Sequence, residues 1–467
     1  MTVSYSSSEE LRRIRGGWNE VIAFVIVNGT LLLLGVGNLL NILFPLSATL
    51  LGFRLYTKYP VRYFAFVWWM WFLTPLVRRI ADFQSFYREP SPILLAPSLV
   101  TLISALTLLK KVPQKEVEGF SLYLLGFVSV CYGLCVGMLN YSIIAVGIKG
   151  LQWLLPILFG YHVYYSWSKY PLLKASLYRV FKWGTAVMGI YGVYQYVVAP
   201  PWDRLWLISS GLLGFQGSPE PLGIRVWSTM DSGEPFGAIM SGGLILLLSK
   251  GDSSSLLASV PGYLSFLLAT VRSAWLGWVA GFFILATSLK PKQQIRLIIL
   301  SAVLMLILIS ISSSSVFSEV IASRFSTFGD LESDQSFSAR QGTYANLLGE
   351  ALSSLVGLGI GGTIYDSAVL TSLFNLGWIG TALYLGSLST LLIRLFGSSY
   401  VHRDPFIKVS QAVVITALIR IPLNVPMLEA SGLLLWGILS LGLAAEKYAR
   451  AEREETPQLS HLSITSD

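Results

Sequence analysis

The residues best suited to chemistry in this sequence are arginines at the edges of apolar stretches, together with Arg420 inside one such stretch. They are Arg78, Arg79, Arg88, Arg204, Arg225, Arg272, Arg324, Arg340 and Arg420. Charge close to a membrane is costly and marks a binding site or a partner, and a guanidinium can pair with a phosphate through two parallel hydrogen bonds. Arg272 has the most unusual setting, because it is the only charged residue of "LLATVRSAWLGW" (267–278). It either binds an anionic ligand or lies at the membrane interface, where it contacts a lipid phosphate.

Arg340 stands near the predicted start of a helix. The segment "SARQ" (338–341) fits a capping box and predicts a helix near 339–354, in which Leu348 and Ala351 recur at helical spacing. A cation in the first turn opposes the helix dipole, so an anion docked there would be held by backbone N–H groups and by the guanidinium. The alternative is an ion pair with an acid of the preceding segment: Asp330, Glu332 or Asp334.

Two carboxylates precede or open predicted helices. Glu234 could orient a hydroxyl or pair with an arginine, but a Glu followed by Pro235 is also typical of a first helical turn. Asp366 could serve as a general base or as the N-cap of the next helix. The sequence leaves both alternatives open for each residue.

Several patterns resemble cofactor or metal sites, but each lacks neighbouring features that such a site requires. "GLGIGG" (357–362) has the spacing of a dinucleotide loop, yet no strand or βαβ unit surrounds it. The acids of "DLESDQS" (330–336) lack the glycine and the terminal glutamate of a calcium loop. The three histidines have no second ligand nearby in the sequence. We therefore expect no metal site and no cofactor.

The composition indicates a membrane protein. The chain has 467 residues, of which 54% are hydrophobic and 12% are charged, and its mean hydropathy is +0.64. Soluble proteins contain roughly 25% charged residues, so most of this chain's surface faces lipid. The net charge of +8 comes from short basic runs between apolar segments. That distribution argues against a nucleic-acid-binding protein and fits the positive-inside rule.

Apolar runs predict an all-α fold, a polytopic bundle of about 12–14 transmembrane helices. The predicted spans include 120–139, 234–249, 297–314, 368–392, 409–427 and 429–445. Most lysines and arginines fall on the side of the N-terminal segment, so both termini are expected in the cytoplasm. Two long segments, about 200–233 and about 316–367, lie on the opposite side, where long connections usually carry function. Residues 1–445 form one expected membrane domain, and 446–467 form a polar tail that is predicted to be disordered at its end.

Three sets of motifs follow one another in the middle of the chain. They are "YGVYQYVVAPPWD" with "IRVWSTMDSGEPFGAIM", then "TVRSAWLGW", then an R-F…R-x-x-x-Y…G-x-G pattern that ends in "YDSAVLTSLFNLGWIG". In this order they resemble the bacterial O-antigen ligase and O-antigen polymerase superfamily. The resemblance covers about Tyr191 to Ala382; the flanking segments are similar only in character.

The resemblance implies an integral membrane glycosyltransferase of the bacterial inner (plasma) membrane, with 200–233 and 316–367 as periplasmic loops. Such enzymes transfer a glycan from a polyprenyl diphosphate carrier to an acceptor sugar hydroxyl, with inversion and without a metal. The implied partners are the carrier-linked donor, a glycan or lipid-linked acceptor, membrane lipids and, as a possible addition, a chain-length regulator. The resemblance assigns Arg225, Arg272 and Arg340 to the donor diphosphate.

The chain departs from the ligases at one position. Ligases carry a histidine just before the span that follows the second loop, and Asp366 occupies that place here. This departure favours a polymerase-type member. It makes Asp366 the first candidate for the catalytic base and Glu234 the second.

Two other classes of protein remain as alternatives. One is a transporter of an anion such as bicarbonate or of a lipid-linked sugar, and the other is an assembly protein without catalysis. A transporter would place charged or helix-broken sites near the bilayer midplane, often in paired halves. The sequence contains no inverted repeat and its charges gather at one face, so the transferase is the favoured hypothesis.

Overall fold

The computed structural model describes residues 16–111, 119–287, 294–295, 299 and 335–464. Over these residues the protein is helical and contains no β-strand, as the sequence predicts. The α-helices, numbered in chain order, are α1 (Trp18–Leu33), α2 (Gly37–Lys58), α3 (Pro60–Gln84), α4 (Leu95–Leu102), α5 (Ala105–Lys111), α6 (Phe120–Asn140), α7 (Ile143–Tyr165), α8 (Tyr170–Val198), α9 (Pro201–Ser209), α10 (Gly233–Lys250), α11 (Ser253–Leu268), α12 (Arg272–Thr287), α13 (Gln335–Ser353), α14 (Ala368–Phe396), α15 (Phe406–Leu418) and α16 (Glu429–Ile464).

Six helical segments in the described part of the chain are long and apolar enough to cross a membrane. They are Gly37–Lys58, Pro92–Leu109, Phe120–Asn140, Ile143–Tyr165, Ala368–Phe396 and Glu429–Glu454. Shorter apolar helices add to them, among them Trp18–Leu33 and Ser253–Leu268. These segments support a membrane protein, in agreement with the composition. The span predicted near 297–314 lies outside the described residues, apart from Ile299.

The described chain divides into two compact units. The first comprises 16–104 and 172–271, which hold α1–α4 and nearly all of α8 through α11. The second comprises 105–111, 119–171, 272–287 and 335–464, together with 294–295 and 299. Each unit interrupts the other along the sequence. The boundary between the units falls directly before Arg272, the arginine with the most unusual sequence setting.

The first unit packs around aromatic side chains of α3 and α8. The Phe181 ring contacts Trp68 and Phe72 edge to face, with centroid separations of 5.1 and 5.5 Å. Such edge-to-face pairs add stability beyond the area that they bury. At the turn between α10 and α11, Asp252 caps α11 by accepting the Ser255 N–H at 2.7 Å. These contacts position α3, α8 and α11, which lie before and after the candidate residues Arg225 and Glu234 in the sequence.

The second unit contains a broken helix, α14. Gly377 lies inside α14 with φ 61° and ψ −173°, so the helix is interrupted there. The non-helical segment 354–362 fits into the break, where the Trp378 N–H donates to the Leu355 carbonyl at 3.0 Å. A Cβ at Gly359 would lie 2.1 Å from the backbone nitrogen of Gly137 on α6. The glycines of "GLGIGG" therefore permit close backbone packing, because a side chain would not fit there.

The span predicted at 409–427 is wrong in its second half. Helix α15 ends at Leu418, and residues 419–428 are not helical. Pro422 explains the end, because proline donates no backbone hydrogen bond and its ring would clash with the carbonyl four residues earlier. We call 419–428 the α15–α16 connector.

The C-terminal tail is helical where the sequence predicts a polar, partly disordered extension. Helix α16 continues past residue 445 to Ile464. Glu446 is buried and accepts a hydrogen bond from Arg450 at 2.8 Å, and Arg394 of α14 lies 3.8 Å from the same carboxylate. These ion pairs explain why the helix does not end at the last apolar residue.

Candidate functional site

The α15–α16 connector joins three helices of the second unit through hydrogen bonds. The Asn424 Oδ1 accepts the Ser273 hydroxyl of α12 at 2.6 Å. The backbone N–H of Ala368, the first residue of α14, donates to the carbonyls of Ile421 and Asn424 at 3.2 and 2.9 Å. The Pro422 carbonyl accepts the hydroxyl of Tyr344, on α13, at 2.9 Å. The connector therefore brings the first turns of α12 and α14 and the middle of α13 to one place.

Arg272 is the first residue of α12. The sequence predicts that Arg272 lies in a tight turn; the structure has that turn at 269–271, directly before Arg272. The Arg272 side chain is half-buried. Its neighbour Ser273 makes the bond to Asn424, so Arg272 adjoins a residue that is bonded to the connector. This position is one where a cation faces the positive end of a helix, which favours a nearby anion.

Asp366 lies just before α14, and its side chain is exposed. The N-cap of α14 is Ser367, whose Oγ accepts the Leu370 N–H at 3.5 Å. The alternative reading of Asp366 as the N-cap is therefore wrong. An exposed carboxylate one residue outside the cap can be reached by a ligand, and its role as a base stays a prediction.

Arg340 lies inside α13 and not in its first turn. The helix already includes Gln335, so Ser338 is an interior residue and cannot form the predicted capping box. The argument that Arg340 shares an anion with a helix N-terminus is therefore wrong. Its backbone lies one helical turn before Tyr344, the residue that bonds to the connector. The acids proposed as alternative partners, at 330–334, lie outside the described residues.

Arg420 provides a further cation in the connector itself. Its side chain is 1% exposed, and a Cβ at Gly277 of α12 would lie 3.4 Å from its Cδ. The glycine thus allows α12 and the Arg420 side chain to pack closely. A buried guanidinium requires polar or anionic surroundings. The sequence marks Arg420 only as one of nine arginines, since its burial depends on the unwound connector.

Tyr344 is the residue of this region that sequence reasoning missed. Its ring packs against a cluster of Ala351, Leu370, Leu373 and Phe374. Its hydroxyl bonds both to the Pro422 carbonyl and to the Ser367 Oγ. The R-x-x-x-Y spacing with Arg340 was the only signal in the sequence, and it carries no indication of what the hydroxyl contacts.

Arg225 belongs to the first unit and has a structural role there. Its Nε donates to the Ala269 carbonyl at 2.9 Å and its Nη2 to the Thr270 carbonyl at 3.0 Å. These carbonyls end α11, where a cation is favoured by the helix dipole and satisfies acceptors without helical partners. Thr270 has φ +52°, which is costly for a non-glycine residue. Arg225 thus stabilises the strained turn, and its assignment to a diphosphate stays a prediction.

A buried ion pair holds the segment 224–232, which carries Arg225. The Arg79 Nε lies 2.6 Å from the Asp203 Oδ1, and the two side chains are 1% and 0% exposed. Arg79 also donates to the carbonyls of Ser228 and Met230. The other Asp203 oxygen accepts from Tyr191 and from Gln195, each at 2.9 Å. The bonds of this pair are made within the protein, so we interpret Arg79 as a structural arginine.

Glu234 lies in the first turn of α10 and is half-buried. The structure therefore agrees with the first-turn reading without testing its role as a base. Nearby, Asp231 is also half-buried, and burial raises the pKa of its carboxyl above the usual value, although Arg79 and Arg78 act in the opposite direction. The first unit thus holds two carboxylates beside the start of α10.

No model of a protein family matches the chain, and no curated protein matches it.

Proposed function

We propose that the protein is a glycosyltransferase that moves a polyprenyl-diphosphate-linked glycan to an acceptor sugar hydroxyl. The observation that carries the proposal is the convergence on the α15–α16 connector. Arg272, Asp366 and Arg340 come from three segments that are far apart in the sequence. The backbone of each lies within one helical turn of a residue that bonds to the connector or to the N-cap beside it.

The proposed reaction needs a base on one side of the sugar and fixed positive charge on the other. The acceptor oxygen forms a bond to the anomeric carbon while the bond from that carbon to the diphosphate oxygen breaks. The diphosphate leaves with the electron pair, and the carboxylate of Asp366 takes the acceptor proton. Arginines held in place before the reaction stabilise the charge that develops on the leaving group. We assign that role to Arg272 and Arg340.

Arg225 and Glu234 have secondary roles in the proposed reaction. Arg225 is the third arginine that the resemblance assigns to the diphosphate, and Glu234 is the second candidate base. Arg225 already donates two hydrogen bonds to the end of α11. A donor diphosphate would therefore share the Arg225 guanidinium with these two carbonyls.

The proposal includes a location and a topology. We propose about 12–14 spans in the bacterial inner membrane, with cytoplasmic termini and with 200–233 and 316–367 in the periplasm. The donor diphosphate would then meet Arg272 at the periplasmic membrane surface. A polymerase would extend a carrier-linked glycan there, whereas a ligase would transfer it to a lipid-anchored acceptor.

The direct test is transfer by the purified protein. Wild type in detergent is mixed with a polyprenyl diphosphate-linked oligosaccharide, and products are followed by mass for longer or transferred glycan. Arg272→Ala should lower the rate by about 10²–10³-fold, the usual cost of removing one fixed donor to a developing anion. Arg88→Ala is the matched control, since the Arg88 guanidinium lies over the Phe86 ring in the first unit.

Two results would count against the proposal. Wild type that makes no product from any carrier-linked donor would remove the enzymatic function. Full activity in Arg272→Ala would return this arginine to the role of an interfacial side chain that contacts lipid phosphate.

The break in α14 favours a transporter as the second candidate function. Discontinuous helices line the substrate sites of many transporters. Gly377 interrupts α14, and buried polar residues Thr371 and Asn375 precede it. Uptake of bicarbonate into proteoliposomes, lost in Asn375→Leu and kept in Arg272→Ala, would support this function over transfer.

A further inference from the structure

The hydroxyl of Tyr344 links α13, the start of α14 and the connector. A tyrosine hydroxyl has one proton, and here that proton goes to the Pro422 carbonyl at 2.9 Å. The bond between Tyr344 and Ser367 must then be donated by the Ser367 hydroxyl. Ser367 in turn accepts the Leu370 N–H as the N-cap. The four groups thus form a chain of hydrogen bonds with a single direction.

This chain fixes the register of two segments that carry proposed site residues. Asp366 is attached directly to Ser367, and the backbone of Arg340 lies one turn before Tyr344. The Pro422 carbonyl lies two residues after the buried Arg420. Linked hydrogen bonds polarise one another and rigidify the groups that they join. A shift of α13 against α14 would move Asp366 and Arg340 relative to each other.

The ring of Tyr344 and its hydroxyl have separable roles. The ring packs with Leu347 and Leu348 on the face of α13 that covers α14, and a phenylalanine ring would fill the same space. The hydroxyl alone reaches the N-cap and the connector. Removing it leaves Ser367 and Pro422 each without one partner while the apolar contact persists.

We infer that Tyr344 is a positioning residue of the transfer site, and this inference rests on the proposed glycosyltransferase function. Its hydroxyl sets the distance between the Asp366 carboxylate, which takes the acceptor proton, and the segment of α13 that carries Arg340. Misplacement of a catalytic group by about 1 Å can cost as much as 10²-fold in rate. The effect should appear mainly in kcat, because Arg272 and Arg340 keep their charges while the position of the base relative to them changes.

The test is Tyr344→Phe in the purified full-length protein, assayed with the same carrier-linked oligosaccharide. We expect kcat to fall about 10–100-fold with KM for the donor changed less than about threefold. Tyr132→Phe is the matched control, because the Tyr132 hydroxyl also donates to a carbonyl, that of Val356, at 2.9 Å in the same unit. It should keep wild-type kcat.

A second variant, Ser367→Ala, removes the donor of the hydrogen bond to Tyr344 and should also lower kcat. It tests the inference if Tyr344→Phe does not fold. In a double-mutant cycle the two losses should not add, because both variants break the same link.

Three outcomes would overturn the inference. They are wild-type kcat in Tyr344→Phe, additive losses in the cycle, and an equal loss in Tyr132→Phe with a lower thermal midpoint. Absence of transfer by wild type would instead overturn the proposed function itself. The two failures are therefore distinguishable.

Discussion

The segment 224–232 of the first unit and the α15–α16 connector of the second are both non-helical, but they differ in the charge of the side chains that are seen to bond to them. In the first, the buried Arg79–Asp203 pair anchors the chain, and Arg225 caps a helix. In the second, two of the hydrogen bonds to the connector come from the neutral side chains of Ser273 and Tyr344. The charged residues Arg272 and Asp366 flank those bonds in the sequence.

The difference shows that an arginine near a membrane is not by itself evidence of a substrate site. Arg79 is buried and is bonded to a carboxylate and two carbonyls of its own unit. Asp366 is exposed beside a cap that another residue forms. The Arg79 guanidinium is held by acceptors of its own unit, whereas the exposed Asp366 carboxylate can be reached by a ligand. The following experiments test that distinction.

The largest effect should come from Asp203→Ala. Removing one partner of a buried ion pair leaves the other charge uncompensated, which costs about 3–5 kcal/mol. Thermal unfolding in detergent measures the loss, and Glu89→Ala is the control, because Glu89 pairs with Arg78 but is 61% exposed. Adding Arg79→Met to Asp203→Ala should recover part of the stability. A double variant less stable than Asp203→Ala would contradict this account.

The next effect concerns the two candidate bases. Asp366→Asn should lower kcat by about 10²-fold or more, since general-base catalysis contributes about 10²–10⁴-fold. Its thermal midpoint should stay near that of wild type because the side chain is exposed. Glu234→Gln is the matched variant in the first unit. If Glu234→Gln is the inactive one, the base belongs to the first unit and the comparison is reversed.

A smaller effect should separate the two roles of Arg225. Loss of hydrogen bonds from a charged donor costs about 1.5–3 kcal/mol, so Arg225→Ala should lower the thermal midpoint. Arg225→Lys keeps the charge but not the fork that spans two carbonyls, and it should restore less than half of the loss. Donor affinity is measured alongside. Unchanged midpoints with lost affinity in both variants would instead favour a direct contact with the diphosphate.

The smallest effect should be a pH-dependent stabilisation by Asp231→Asn. Burial raises the pKa of Asp231, so the ionised carboxylate costs stability above its unfolded pKa, and that stability returns as the pH falls through the folded pKa. The variant should therefore unfold at a higher temperature than wild type at about pH 8 and lose this advantage as the pH falls through the folded pKa of Asp231. A variant that is less stable at the higher pH would show that Arg78 and Arg79 outweigh burial.

Much of the helical framework could be predicted from apolar runs. The starts of α6, α10, α14 and α16 lie within one residue of the predicted spans, because glycine, serine and acidic residues mark them. The predictions failed at helix ends: α15 ends early because of Pro422, the cap of α14 is Ser367, and α16 continues past 445, where Glu446 contacts Arg394 of α14. In the first two cases the cause is local, and only in the third does a tertiary contact act.

The candidate site could be predicted only as a set of residue types. Arg272 was predicted to lie in a tight turn between two helices; the turn is formed by 269–271, and Arg272 follows it as the first residue of α12. The anion argument for Arg340 was wrong, because the capping motif lies inside a helix that begins earlier. The positions of Tyr344 and Arg420 depend on a connector that the sequence presents as an apolar span.

The sequence by itself indicated a membrane protein with an all-α fold, because hydrophobic periodicity and charge content can be read from the residues without knowing their tertiary contacts. It also determined which residues could handle phosphate or a proton, since those properties belong to the side chains. Only the tertiary structure decided which arginines bond to acceptors of the protein itself. Arg79 and Arg225 meet acceptors that lie far away in the sequence, at Asp203 and Ala269. A hydrogen bond requires a partner within about 3 Å, and only the folded chain brings such partners together.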